Sequence, residues 1–248
     1  MRSIELVGIG AGDPDHLTLQ AVKAFGRADV FLLLDKGEAK DDLVALRRAM
    51  IAEHGRPGHR IAVGRDPDRD RRPADYAGTI ADWRSRRADV MAGLIAEVPD
   101  GATGAFLVWG DPTLYDSSIA ILDEILARRT VEFEYSVIPG VSSVSALVAK
   151  HRVPLNRVGR PVQITTGRRL AEGWPEGVED VVVMLDSQQA FGSVDPDGVD
   201  IYWGAYVGTA EELLLAGPLA ETGPEIEKVR AEARERHGWI MDTYLLRR

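Results

Sequence analysis

"VGIGAGDPDHLT", residues 7–18, is the stretch on which the reading of the whole chain turns. An apolar run of strand length ends in glycines at alternate positions, Gly8, Gly10 and Gly12, followed by Asp13-Pro14. The outline is that of a dinucleotide-binding loop, whose G-x-G-x-x-G spacing sets a pyrophosphate on a helix N-terminus. Here Asp13 stands where the third glycine belongs, and Pro14 removes a backbone donor. A carboxylate beside a pyrophosphate is unfavourable. NAD and FAD are therefore excluded, and the absence of G-K-[ST] excludes a P-loop. What is left is a sharp turn at the carboxyl end of a strand, with Asp13 or Asp15 as the expected cap of the next helix.

Outward from this turn, three more apolar runs repeat the design. "VFLLL" (30–34) leads into Asp35-Lys36-Gly37, "AFLVW" (105–109) into Gly110-Asp111-Pro112, and "FEYSVI" (133–138) into Pro139-Gly140. Runs that are apolar without alternation suit strands buried on both faces of a parallel sheet. Helical patterns over residues 17–27 and 117–128 lie between them, so the order is βαβα and the fold class α/β. In such sheets ligands sit beyond the carboxyl ends of the strands, where all four turns would gather.

A second unit begins near "HRVPLNRVGRP" (151–161), where Pro154, Gly159 and Pro161 break the pattern. "PVQITTG", "DVVVML", "DIYWGAYVG" and "WIMDTYLL" read as strands and residues 224–236 as a helix. The expected organisation is two α/β domains, residues 1–153 and 154–248. Residues 55–76, rich in proline, glycine and alternating charge, read as a loop.

Composition limits the chemistry. The 248 residues are 45% hydrophobic and include no cysteine, which rules out disulfides and thiolate chemistry. The five histidines are scattered, with no metal-ligand spacing, so no metal is expected. No apolar stretch reaches membrane-spanning length, and neither a signal peptide nor a membrane contact is expected; the default is a cytoplasmic enzyme. A net charge of -9 argues against a nucleic-acid partner. Residues 47–87 oppose that balance, with eleven arginines against six carboxylates, a local surplus of five positive charges. A solvated, self-neutralising loop accounts for such a run as readily as an anion-binding face does.

Turns that offer carboxylates and bare backbone suit a ligand with cationic and hydroxyl groups and no phosphate, as S-adenosylmethionine is. "GIGAGDPDHLTLQA", "GDPTLY", "IPGVSSVSA" and "HRVPLNRVGRPVQITTG", in this order over essentially the whole chain, resemble the tetrapyrrole (class III) methylases. The resemblance implies two α/β domains with an S-adenosylmethionine trough between them, an anionic tetrapyrrole substrate, and no metal. It points to the branch that methylates ring carbon 1 and releases an acetyl unit as acetate. Methylation at carbon 20 is the nearest alternative. RNA or diphthamide-precursor methylation, and a cofactor-binding module without catalysis, are more distant ones. Members of the family often form homodimers.

Carried over position by position, the resemblance implies that Trp109, Gly110 and Asp111 line the methionine moiety, with Leu114 just beyond. Ser142 and Ser143 take the small hydroxyl positions after Pro-Gly. Adenine would be clamped by the backbone of Met184 or Leu185 and by Gly208. The chain departs from the pattern at Ala11, where proline is usual, and at Asp186, where glycine is usual. Asp13 and Tyr115 are the candidate catalytic residues, with Asp35 and Lys36 as further substrate-pocket candidates; each of the two aspartates serves equally well as a turn former.

Overall fold

The computed structural model describes residues 1–35, 41–68 and 76–248. The chain forms two compact units, Met1–Gly10 with Pro14–Val141, and Ala11–Asp13 with Ser142–Arg248.

The first unit is built on β1 (Arg2–Gly8), β2 (Val30–Asp35), β3 (Arg60–Arg65), β4 (Thr103–Val108) and β5 (Phe133–Ile138). All pairings are parallel, in the order β3-β2-β4-β1-β5. Helices α1 (Leu19–Arg27) and α2 (Asp41–His54) cover one face, where Phe25, Met50 and Ile51 pack on Val7, Phe31, Leu33 and Leu107. Helices α3 (Tyr76–Ala96) and α4 (Ser118–Arg128) cover the other, with Met91, Ile95 and Ile121 on Ile4, Leu6, Leu32 and Phe106. Successive strand residues are thus buried on opposite faces, which is why the runs show no polar alternation.

This order creates a switch point. The chain leaves β1 across β4 to reach β2, and leaves β4 across β1 to reach β5. Two neighbouring strands whose connections depart in opposite directions open a crevice at their carboxyl ends. The turns after β1 and β4 therefore flank the place where a ligand is received.

Two expectations for this unit are corrected. Residues 55–76 are not one loop, because Arg60–Arg65 pairs along β2 as an edge strand. Neither Asp13 nor Asp15 caps α1; the Thr18 hydroxyl accepts from the amide of Ala21 at 3.0 Å.

The second unit is a mixed sheet, β6-β7-β10-β8-β9, from β6 (Val162–Thr166), β7 (Asp180–Met184), β8 (Asp200–Ala205), β9 (Leu213–Pro218) and β10 (Asp242–Arg247). Only β6 and β7 run parallel; β10 runs against both neighbours, so its first residues lie beside the ends of β7 and β8. Trp203, Phe191 and Tyr244 fill its core with Ile226 of α7 (Leu219–His237). Strand β9 was not expected from the sequence. Helix α7 starts five residues before Pro224, which was expected to open it. Helix α5 (Ser143–His151) packs on β8 and β10, so it falls in the second unit although the sequence placed residues 143–153 with the first. Leu170 of the short α6 (Gly167–Leu170) joins the same core. Among the described residues no helix is long and apolar enough to cross a membrane.

Candidate active site

In the first unit the turns after β1, β4 and β5 are tied together at the switch point. Gly10 and Gly110 exchange backbone hydrogen bonds, with Gly110 N donating to Gly10 O at 2.7 Å and Gly10 N to Gly110 O at 3.3 Å. Gly140 lies against both turns, and a β-carbon there would overlap the Gly110 carbonyl oxygen and the backbone of Gly8. The Asp111 carboxylate holds the arrangement: one oxygen accepts from Thr113 N at 2.6 Å, the other from Gly140 N at 3.2 Å. Trp109, Gly110, Asp111 and Leu114 lie together in this turn, with Leu114 half-buried and Asp111 bonded to the neighbouring loop. Tyr115 is 45% exposed and left-handed, at φ 52°. Asp35 ends β2 and is exposed, while Lys36 lies outside the described residues.

The indole of Trp109 is half-buried, and its Nε1 is buried with no hydrogen-bond partner among the described residues. Above its ring, 5.9 Å from the centroid, lies the guanidinium of Arg47 from α2. Arg47 donates from Nε to Leu107 O at 3.2 Å and from Nη1 to Leu43 O at 3.0 Å. Burial and the charge of Arg87 hold its pKa down at about 10, although Asp116 pulls the other way. Arg87 comes from α3, on the opposite face of the sheet, and pairs with Asp66 at 3.0 Å while donating to the Ser117 hydroxyl at 3.3 Å. Neither arginine was singled out from the sequence, where nothing distinguishes them from the nine other arginines of residues 47–87.

In the second unit the expected positions gather at the ends of β7 and β8. The Ser142 hydroxyl caps α5 by accepting from Ser145 N at 3.1 Å, and Ser143 Oγ lies 3.4 Å from Thr243 Oγ1 at the start of β10. Gly208, left-handed at φ 84°, donates its amide to Glu212 at 2.7 Å. Gly12 packs on the same turn, where a β-carbon would come within 2.6 Å of Thr209 Cγ2, and this brings the half-buried Asp13 to that turn. Met184 is a strand residue paired with Thr166 and Thr243. Leu185 is 67% exposed and left-handed, at φ 54°. A left-handed leucine is strained by about 1–2 kcal/mol, so the surroundings must enforce it.

Asp186 does so from behind. Its carboxylate accepts from Gln188 N at 2.9 Å, Ala190 N at 2.6 Å and the Tyr244 hydroxyl at 2.6 Å. Its carbonyl accepts from Arg230, itself paired with Asp242 at 2.8 Å. Burial, with the Asp186 charge, pushes the Tyr244 hydroxyl up and keeps it a donor. A β-carbon on Gly167 would overlap the same carboxylate. Thr166 Oγ1, next to Met184 in strand register, is buried without a hydrogen-bond partner among the described residues.

Comparisons with known proteins identify the family. The family model for tetrapyrrole (corrin/porphyrin) methylases matches residues 3–223. The chain belongs to the tetrapyrrole methylase family. As a tetrapyrrole methylase it is 47% identical to a precorrin-6A synthase [deacetylating] of Sinorhizobium sp over 250 residues, covering 100% of this chain and 96% of the relative. A crystal structure of a cobalamin synthesis related protein (CobF) from Corynebacterium diphtheriae superposes with a TM-score of 0.86 at 38% identity, over 100% of this chain and 98% of that one. A uroporphyrin-III C-methyltransferase from Thermus thermophilus, crystallised with S-adenosylhomocysteine, shares the fold at a TM-score of 0.63 and 20% identity, over 98% and 91% of the two chains. The α/β fold and the methyltransferase class expected from the sequence both hold.

Proposed function

We propose that the chain transfers a methyl group from S-adenosylmethionine to ring carbon 1 of precorrin-5 and releases the extruded acetyl unit as acetate, giving precorrin-6A. The observation that carries this reading is the full-length 47% identity to a precorrin-6A synthase. The switch-point turns and the left-handed Leu185 support it from the structure.

The residues present fit the methyl donor. Trp109 Nε1 and Thr166 Oγ1 are buried polar groups without hydrogen-bond partners among the described residues, one beside the Gly110 turn and one beside Met184, and a polar ligand would satisfy each. Trp109, Gly110 and Leu114 would border the methionine moiety. Ser142, Ser143, Leu185 and the Gly208 turn would hold the nucleoside. S-adenosylmethionine supplies the methyl group on a sulfonium that is already a good leaving group. The chain's task is therefore alignment and exclusion of water, an effect worth several kcal/mol when the reacting atoms are held in line. The backbone exchange between Gly10 and Gly110, stapled by Asp111, supplies that rigidity.

Loss of the acetyl unit requires water to add to its carbonyl. The carbon–carbon bond then breaks with its electron pair passing to ring carbon 1, and acetate departs. Asp13 would take the proton from that water, and Tyr115 would donate to the developing charge. Tyr115 is exposed and held in a left-handed turn, a placement that suits a group meeting substrate more than one packing the core.

The test is an anaerobic reaction of the protein with S-adenosylmethionine and precorrin-5, followed by mass spectrometry. One added methyl with an equivalent of acetate is expected. Methylation of precorrin-2 at carbon 20, with precorrin-5 untouched, moves the substrate to the nearest alternative. Transfer to neither removes the reading.

A further inference from the structure

We propose that Arg47 is a carboxylate anchor for the tetrapyrrole, presented on the Trp109 ring at the carboxyl edge of the first sheet, with Arg87 beside it. This assignment deepens the proposed function and rests on it for the substrate's identity.

Three observations carry it. Arg47 is a half-buried cation with no carboxylate at ion-pair distance among the described residues. Other well-covered arginines among the described residues have one: Arg87 has Asp66, Arg230 has Asp242, Arg247 has Asp180. Burying an unpaired charge beside a second cation is costly, and the depressed pKa of Arg47 records that cost. A carboxylate arriving from solution removes it.

Its geometry is prepared for that arrival. Nε and Nη1 are fixed on the carbonyls of Leu107 and Leu43, and the guanidinium plane is supported by the indole below. Nη2 has no hydrogen-bond partner among the described residues, so one corner of the fork remains for a ligand. A guanidinium already held in place loses little rotamer freedom on binding, which is the advantage of arginine over lysine in such a role.

Position completes the case. Leu107 and Trp109 belong to β4 and its turn, so Arg47 stands directly beside the Gly110-Asp111 turn. Arg47 reaches this edge from α2 on one face of the sheet and Arg87 from α3 on the other. A side-chain carboxylate of a macrocycle bound at that turn meets Arg47, with the Asp66-paired Arg87 nearby.

The test uses the full chain and two titrations. Uroporphyrin III, an inert octacarboxylate tetrapyrrole, is titrated by absorbance into the wild type, Arg47→Gln and Arg47→Lys. S-adenosylhomocysteine binding by calorimetry reports whether each variant keeps its fold. Loss of a charge-assisted bond predicts about tenfold or more weaker porphyrin binding for Arg47→Gln, with Arg47→Lys between the two and S-adenosylhomocysteine affinity within about twofold throughout. With precorrin-5 the same loss should enter KM and spare kcat, because the anchor holds substrate and transition state alike. Equal porphyrin affinity in wild type and Arg47→Gln, or no saturable porphyrin binding by the wild type, overturns the anchor. Weakened porphyrin binding without turnover of precorrin-5 supports the anchor and overturns the substrate reading. If Arg47→Gln loses S-adenosylhomocysteine binding, the Arg47→Lys result decides: porphyrin affinity equal to wild type overturns the anchor, and a selective loss supports it.

Discussion

A methyl group added at Gly140 would overlap the carbonyl oxygen of Gly110 and the backbone of Gly8, neither of which can swing aside. Gly140→Ala must therefore displace the turns that flank the crevice. The expected result is a loss of about 1–3 kcal/mol of stability, as for other overpacked sites, accompanied by loss of S-adenosylhomocysteine binding. Thermal melts and calorimetry check the two together; a variant that melts normally and binds normally would show the close approach to be dispensable. Leu185 makes the opposite prediction. Glycine removes the left-handed strain, so Leu185→Gly should gain about 1 kcal/mol of stability. If Leu185 covers the nucleoside as proposed, the variant should also lose about tenfold or more in S-adenosylhomocysteine affinity, because apolar cover of a leucine is worth roughly 1.5–3 kcal/mol. A variant that is less stable and binds unchanged would make Leu185 a structural residue. The sequence left Met184 and Leu185 equal as candidates for the adenine contact, since neither the left-handed backbone nor the exposure of Leu185 can be read from "VVVMLDS".

Strands were legible where both faces are buried, and the two that were missed lie at the margins, although the edge strands β5 and β6 were read. Residues 30–34 and 105–109 stood out because β2 and β4 lie inside the first sheet. The two missed strands, β3 and β9, are each an edge. In Arg60–Arg65 only Ala62 is buried, and the surrounding arginines made the segment read as part of a charged loop. Leu213–Pro218 has no fully buried residue and carries Gly217 and Pro218, which signal turns rather than strands. Inside the second sheet, β7 begins at Asp180, whose side chain is fully buried between Arg247 at 2.6 Å and Arg157 at 3.3 Å. Burial pushes this carboxyl up, but hydrogen bonds and charge from Arg247 and then Arg157 outweigh it, and its pKa is lowered. A carboxyl whose folded pKa lies below its unfolded value of about 3.9 adds stability above that value and loses it as pH falls through the folded one. Asp180→Asn should therefore cost about 3 kcal/mol at pH 7, and the gap to wild type should close as pH is taken below about 4. Chemical denaturation at both pH values measures the gap. A gap that does not change with pH would assign the loss to packing instead of charge.

For the molecule as a whole, the α/β class, the two-unit plan and the family motifs were legible because each rests on local pattern. The allegiance of α5 was not, since its apolar residues Val144, Leu147 and Val148 would suit a helix on either sheet. Nor could the sequence pick Arg47 from a run of eleven arginines, because its role depends on which ring lies beneath it and which carboxylates do not. Charge at this scale makes the last prediction. A net charge of -9 repels an acidic macrocycle at long range, while the anchor at Arg47, in a segment whose sequence carries a surplus of five positive charges, attracts it on contact. The two act over different distances and so respond differently to salt. The Debye length falls from about 30 Å at 0.01 M to about 8 Å at 0.15 M, which screens the repulsion of the whole surface before it reaches contacts at hydrogen-bond range. KM for precorrin-5 should therefore fall from 0.01 M to about 0.15 M salt and rise again above about 0.5 M as contact attraction weakens too. In Arg47→Gln the high-salt rise should flatten. A wild-type KM that only rises from the lowest salt would mean that the arginines govern approach at every distance. One that only falls would mean that they contribute nothing to capture, and the arginines of residues 47–87 would then be solvated and neutralised by the carboxylates of the same segment, as its composition equally allows.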